Sequence, residues 1–289
     1  MRIPLVYGRK ADAELEHNAA ANYVLLKEGA PGMESENESS YEKGVLARKA
    51  ELFPGVCISR SWELFKAQFS QVFVATLLVT VASWGVGAVP YFGIFLSGAI
   101  HGVLYGGLYA FFLKLIRGQK ADLGDAFSGF SPAFPQLLLA GGITSLLTLL
   151  VAGVLALPFL IAVIPSVILM LKHSESAWPV LPGLLAVVGL CAGAAAGLAL
   201  STLWVFTVPL VMDRKMEFWP AMELSRKVVM GIFWRVLGLV ISAGIIVVSG
   251  VLLCGVGLLF TLPIGFGAIA YGYETLFGQQ EESLSAHGF

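Results

Sequence analysis

The residues that could carry chemistry are few, and they lie within or at the ends of long apolar segments. His101 stands inside one such segment, and Tyr105 and Tyr109 follow it at i+4 and i+8, so the three share one side of a helix. A polar group inside a bilayer is costly unless it is paired, and it therefore usually faces the protein interior. Two interpretations stay open: a proton relay or substrate site, or a neutral imidazole bonded to a Thr or Tyr hydroxyl of a neighbouring helix.

Arg235 and Glu274 form a second candidate pair near the ends of two apolar segments, with Tyr271 and Tyr273 close to Glu274 in the sequence. The pattern predicts that the two charges pair across neighbouring helices. Such a pair fixes helix register, or it belongs to a functional pathway. Long charged side chains at that depth can also reach water with their heads.

No arrangement typical of an enzyme is present. The chain lacks a phosphate-binding Gly-Lys-Ser/Thr loop, a His-Glu-x-x-His motif, a Gly-x-Ser-x-Gly motif and a His/Cys cluster. The three cysteines, Cys57, Cys191 and Cys254, lie far apart and without Cys-x-x-Cys spacing. We therefore expect no catalytic residue, no cofactor and no metal, and nothing in the sequence favours nucleic-acid binding.

Small residues recur every four positions in two of the apolar segments. This spacing makes a flat stripe on which helix backbones approach each other closely. The stripes predict close helix packing in the bundle centre or at a dimer face, and a ligand crevice against them is the alternative. Their glycines are Gly98, Gly102 and Gly106 in the first stripe, and Gly189, Gly193 and Gly197 in the second.

The composition places these residues in a membrane protein. The chain has 289 residues, of which 57% are hydrophobic and 13% charged, whereas soluble domains carry about 25% charged residues. Runs of roughly 20 apolar residues recur, the length that a bilayer core of about 30 Å requires of a helix. The predicted fold is an all-α polytopic helical bundle.

Six spans are predicted within a membrane domain at 56–278. A polar and largely disordered tail precedes it at 1–55, and a polar tail follows it at 279–289. Prolines in the third run leave a kinked span or a span plus a re-entrant piece open. Amphipathic interfacial helices are predicted at 58–69, 122–134 and 216–229, the first with Trp62, Phe65 and Phe69 facing the headgroups. The predicted spans are 72–90, 92–116, 137–171, 181–212, 236–253 and 258–276.

The basic residues predict the orientation. Nearly all of those near span ends fall on the side of the N-terminus, and Lys172 alone falls on the other. Because basic residues accumulate on the cytoplasmic side, both termini are predicted in the cytoplasm of a bacterial inner membrane. Four of the basic residues are candidate contacts for anionic lipid headgroups, namely Arg214, Lys215, Arg226 and Lys227.

The sequence also contains a weak internal echo. Residues 62–118 align without a gap to residues 222–278, so that Trp62 pairs with Met222. Identical pairs include Gly107 with Gly267 and Gly118 with Gly278. Each unit reads as an amphipathic lead, a span, a turn and a second span, which predicts a repeat of parallel topology.

Several short motifs carry a resemblance to a known group. They are Asp125-Ala-Phe-Ser-Gly-Phe130, Pro209-Leu-Val-Met-Asp-Arg214, Ala221-Met-Glu-Leu-Ser-Arg226 and, after Pro263, the run 270–278. The chain resembles uncharacterised bacterial six-span membrane proteins, and that group is similar to the membrane domain fused to some glycerophosphodiester phosphodiesterases. The resemblance covers about 58–278 and implies no catalytic role. We do not expect the phosphodiesterase activity here, because the residues of this sequence outside 58–278 are too few for such a domain.

The function expected from these observations is a non-enzymatic membrane protein that organises lipid or scaffolds a partner. Membrane lipids are its expected partners, and a protein partner or a second copy of the chain stays open. The alternative is a small-solute or lipid transporter with a site among the glycine-rich helices near His101.

Overall fold

The computed structural model describes residues 42–46, 51–87, 93–172, 180–252 and 257–278. The chain divides into two units, 1–49 and 50–289, and in the first unit only the helical segment 42–46 is described. Most of the predicted tail at 1–55, the tail at 279–289 and the connections at 88–92 and 173–179 lie outside the described residues. All the regular structure in the described part is helical, which confirms the predicted all-α class.

The second unit contains nine α-helices and one 3-10 helix among its described residues. Five helical stretches are long and apolar enough to cross a membrane. The helices are α1 (Pro54–Ala67), α2 (Phe69–Gly87), α3 (Gly93–Ile116), the 3-10 helix (Leu123–Phe130), α4 (Phe134–Lys172), α5 (Val180–Leu203), α6 (Thr207–Arg214), α7 (Phe218–Gly231), α8 (Phe233–Leu252) and α9 (Leu258–Phe277).

Three of the predicted spans differ in the structure. The third is one continuous helix, α4, which rules out a span followed by a separate re-entrant piece. The fourth divides into α5 and α6, because residues 204–206 form a turn. The sixth is a helix, α9, which contains Pro263 and is not one of the five stretches that are long and apolar enough to cross a membrane.

Helices α3 and α9 occupy the middle of the bundle. Helix α3 packs against α2, α4, α6, α9 and the 3-10 helix, while α9 packs against α1, α2, α3 and α8. The largest fully buried side chains include Phe111 and Phe112 of α3 and Tyr273 and Phe277 of α9. These two helices therefore form the core on which the others assemble.

Helix α1 packs along α9, which the sequence did not predict. The Ser61 hydroxyl donates a buried hydrogen bond of 2.8 Å to the Ile264 carbonyl of α9, and it lies over Gly267, where a methyl group would clash with it. Trp62 and Phe69 are exposed, but Phe65 is 5% exposed and belongs to the core. The prediction that all three aromatics face the headgroups is therefore wrong for Phe65.

The 3-10 helix packs on α3 in a comparable way. It contacts Gly107 through the backbone of Ala126, and its own Gly129 lies against Val103, so neither glycine has room for a methyl group. Gly107 and Gly267 are paired in the sequence echo, and each lies under a short helix that precedes a span.

The ungapped alignment of the echo fails at the bends that follow α1 and α7, the two 14-residue amphipathic helices. We call each of these bends an elbow. The residue that caps the end of α1 is Gln68 (φ −127°, ψ 42°), and the one that caps α7 is Ile232 (φ −134°, ψ 31°). The elbow Gln68 thus corresponds to Ile232 instead of Val228, the residue that the ungapped alignment pairs with it. The two segments of the echo, 62–118 and 222–278, have the same order of helices, but matching their structures requires a gap in the sequence alignment.

Candidate functional site

The carboxyl-terminal ends of α3, α6 and α9 meet at a cluster of charged residues. Arg117 follows the last residue of α3, Asp213 and Arg214 close α6, and Tyr273 and Glu274 lie in the last turn of α9. Because a helix carries partial negative charge at its carboxyl-terminal end, arginines are favoured there. We call these five residues the Arg117 cluster.

Arg117 is the centre of this cluster. Its Nη1 and Nη2 atoms donate to the two carboxylate oxygens of Asp213 at 2.6 and 2.9 Å. Its Nη2 and Nε atoms donate to Oε2 of Glu274 at 2.8 and 3.1 Å. A planar guanidinium fits two carboxylates in this forked way, and a lysine does not.

The hydrogen bonds to Asp213, with those to Glu274, raise the pKa of Arg117 above its usual value even though partial burial lowers it. Arg117 therefore stays charged at every physiological pH. It does not act as a proton donor in this arrangement.

Tyr273 and Arg214 close the cluster from α9 and α6. The hydroxyl of Tyr273, which is fully buried, donates to Oδ2 of Asp213 at 2.9 Å. Arg214 donates from Nη2 to the carbonyl oxygen of Phe277 at 2.7 Å and so binds the end of α9. Two arginines thus face two carboxylates, and the cluster joins three helix ends without excess charge.

The structure gives Glu274 a different partner from the predicted one. Glu274 binds Arg117 and not Arg235, so the predicted Arg235–Glu274 pair is wrong. The guanidinium of Arg235 lies over the ring of Phe53 at 5.6 Å. Tyr271 lies near Arg60 and Glu63 of α1. The reason is geometric: the end of α3 reaches Glu274, whereas α1 packs beside α9 and α8 and places Phe53, the residue before it, against Arg235.

His101 and Tyr105 form a separate group. Their ring centroids are 5.3 Å apart, and Tyr105 packs edge-on against Phe266 of α9 with centroids at 4.9 Å. His101 precedes Arg117 by sixteen residues, about 24 Å along a helix. The two candidate polar groups from the sequence are therefore not brought into one site.

Both glycine stripes lie against α4. A Cβ atom on Gly102 would be 2.7 Å from the Cα of Gly141 and from the carbonyl oxygen of Leu137. Gly98 and Gly106 lie similarly against Ser145 and Leu137. The stripe of α5 faces the other part of α4, with Gly189 against Phe159, Gly193 against Ala152 and Ala156, and Gly197 against Ala152.

The four predicted headgroup contacts have different surroundings. Arg214 belongs to the Arg117 cluster, and its side chain is 16% exposed. Lys215 is exposed in a left-handed conformation (φ 53°) directly after α6. Arg226 and Lys227 lie on the outer side of α7 and both pair with Glu223.

Sequence reasoning missed Arg117, Asp213 and Tyr273 as members of one cluster. Arg117 and Asp213 were not among its candidate site residues. One signal was available: in a chain with so few charges, carboxylates at the ends of apolar helices need cationic partners at a similar depth. Which arginine reaches them depends on helix packing. Among the described residues, no group of three or more His, Cys, Asp or Glu could hold a metal ion.

Comparison of the chain with protein-family models, with curated proteins and with solved structures found no match. The assignment of a function therefore depends on the geometry of this chain.

Proposed function

We propose that the chain is a multi-pass protein of the bacterial inner membrane that organises lipid or scaffolds a protein partner and catalyses no reaction. In this proposal six helices cross the bilayer and both termini are cytoplasmic. Five apolar helical stretches support the membrane location. The basic residues gathered near span ends support the orientation.

The self-compensated Arg117 cluster is the observation that carries this proposal. Each of its ionic groups is bonded to another member of the cluster or to a helix end. The glycine seam between α3 and α4 is equally filled, because Gly102 and Gly141 leave no space for a methyl group. Hydrogen-bonded ion pairs at the helix ends and close packing between α3 and α4 thus hold the helices together, as in a scaffold.

A transporter with a site near His101 is the second candidate. This function is favoured by a row of three aromatic rings between α3 and α9, those of His101, Tyr105 and Phe266. A transport pathway through this region would expose His101 to water, whereas a closed bundle would keep water away from it.

Thiol labelling separates these two functions. The background variant has Cys57, Cys191 and Cys254 changed to Ser, and His101→Cys is then introduced as its single thiol. A charged, membrane-impermeant thiol reagent is applied to closed vesicles of this variant, both inside-out and right-side-out. The scaffold predicts labelling only after denaturation. Labelling of the folded protein from either side would favour the transporter.

Arg226→Cys in the same background is the matched control, because Arg226 lies on the outer side of α7. It should react in inside-out vesicles and stay unreactive in right-side-out vesicles. The reverse pattern would refute the proposed orientation while leaving the result for His101 valid.

The scaffolding role requires a separate measurement. Lipids and proteins retained in mild detergent would be identified by mass spectrometry for the wild type and for the double variant R226E/K227E. A scaffold of this kind predicts that the variant loses a retained component at unchanged yield and elution volume. Retention of nothing by the wild type would refute the role.

A further inference from the structure

The elbow between α7 and α8 has an exposed apolar side. Ile232 interrupts the helix, and the N–H groups of Arg235 and Val236 both donate to its carbonyl, so the turn is internally bonded. Trp234 is 80% exposed and Met230 is 59% exposed. Trp234 is the second residue of α8, one of the five apolar stretches, so it stands where the polar part of the chain enters an apolar helix.

The elbow also carries excess positive charge. Arg226, Lys227 and Arg235 lie on it or in the turn before it, whereas Glu223 is the acidic residue that pairs with Arg226 and Lys227. Arg235 is exposed, and among the described residues no carboxylate pairs with it. It lies instead over the ring of Phe53, which leaves the edge of the guanidinium available.

We propose that this elbow binds the phosphate of an anionic phospholipid, with Arg235 as the main ligand and Trp234 at the adjacent membrane–water boundary. An arginine fork matches phosphate oxygens in two-point hydrogen bonding. Tryptophan prefers the membrane–water boundary, where its ring is in an apolar environment and its N–H is hydrated. A zwitterionic lipid adds its own cation to an already positive surface, so charge complementarity selects a lipid with net negative charge.

An acidic protein segment would satisfy the charges but would not by itself account for Trp234 and Met230, which are exposed beside them. The inference deepens the proposed function, on which it rests for the membrane location, by naming the class of lipid and the residues that select it. It does not depend on whether the bundle interior is closed.

The test uses the full chain in vesicles of phosphatidylcholine that contain a fixed fraction of brominated lipid, either brominated phosphatidylglycerol or brominated phosphatidylcholine. Bromine quenches nearby tryptophan, and the difference between wild type and Trp234→Phe isolates the signal of Trp234. We expect stronger quenching of Trp234 by the brominated phosphatidylglycerol. Equal quenching of Trp234 by the two lipids, taken from the same difference, overturns the proposal without any change to Arg235.

Arg235→Gln should reduce the preference for phosphatidylglycerol about fivefold, the factor that corresponds to about 1 kcal/mol for one basic residue at an anionic surface. Arg60→Gln is the matched control, because Arg60 is also exposed and its removal changes the charge equally. Arg60 lies on α1 with Glu63 in the next turn, so its surroundings are balanced in charge.

If Arg60→Gln reduced the preference for phosphatidylglycerol as much as Arg235→Gln does, the effect would be one of general charge. That result would overturn the proposed lipid site. Arg235→Lys, which keeps the charge, should retain part of the preference. Failure of this lipid test leaves the labelling of His101→Cys unaffected, so the two proposals fail separately.

Discussion

Replacing Arg117 by Gln should destabilise the bundle more than any other single loss of charge described here. Arg117 binds Asp213 and Glu274 on two different helices, and these carboxylates would remain as neighbours without their shared cation. Asp213 would keep the hydrogen bond from the fully buried Tyr273 and the nearby charge of Arg214, whose Nε lies 3.5 Å from Oδ2 of Asp213, whereas Glu274 has no second cationic partner among the described residues. The loss therefore includes repulsion as well as missing hydrogen bonds.

The size of the effect follows from burial. Removal of one partner from a fully buried ion pair costs about 3–5 kcal/mol. Asp213 is 11% exposed, but Arg117 is 29% exposed and Glu274 23%, so water screens part of the interaction. We expect a loss of about 2–3 kcal/mol. At roughly 2–4 °C per kcal/mol for a chain of this size, the apparent Tm should fall by about 4–12 °C.

The assay is thermal unfolding in detergent, followed by the loss of the monodisperse peak in size-exclusion chromatography. Arg226→Gln is the control, because Arg226 pairs with Glu223 on the surface of one helix and should produce no resolvable shift. Adding Asp213→Asn to Arg117→Gln should restore part of the lost Tm, since the two carboxylates no longer repel. The reasoning is refuted if Arg117→Gln shifts Tm no more than Arg226→Gln, or if the double variant is worse by the full sum of the single effects.

Three further predictions use the same unfolding assay. Gly102→Ala should cost about 1–3 kcal/mol because its methyl group must separate α3 from α4. Gly153→Ala, in α4 with nothing within 4 Å of the new methyl group, should cost nothing; equal effects would contradict the close seam. Ser61→Ala should cost about 1 kcal/mol for the lost bond between α1 and α9, and an unchanged Tm would mean that α1 docks without it.

The third of these predictions concerns pH. The hydrogen bond from Lys114 keeps the pKa of Asp125 below its usual value, although burial opposes this. The folded-state pKa is depressed, so the stabilisation is present above the unfolded pKa of about 3.9 and is lost as pH falls through the lower folded value. Asp125→Asn should lower Tm at pH 6 and have a smaller effect below about pH 4. A difference that stays constant with pH would refute the assignment.

Much of the fold could be predicted because length and apolarity are local properties. Helices α2, α3 and α8 lie close to the predicted spans, and α1 and α7 close to the predicted amphipathic segments. The division of the fourth span into α5 and α6 was missed, because the turn at 204–206 contains no Gly or Pro. The Trp-Val-Phe sequence there is as apolar as a helix interior.

The candidate site was predicted less well. Glu274 was recognised as a charge that needs a partner, but the partner was assigned to Arg235, which is closer in the sequence than Arg117. The identity of the partner depends on which helix ends lie together in the fold. A charged residue at the end of one helix does not indicate which other helix ends beside it. Phe65 was misassigned for the same reason: an amphipathic helix has one apolar side, and the pattern does not say whether protein or lipid covers it.

The sequence by itself determined that the chain is helical, that its helices are of bilayer length, and where glycines permit close approach. These are consequences of hydrophobicity and backbone sterics, which act over a few residues. Tertiary structure alone decided that both glycine stripes lie on α4, that α1 packs along α9, and that Arg117 joins Asp213 to Glu274. Those contacts unite residues that are up to 203 positions apart, and such distant pairs are selected by the packing of whole helices and not by any local pattern.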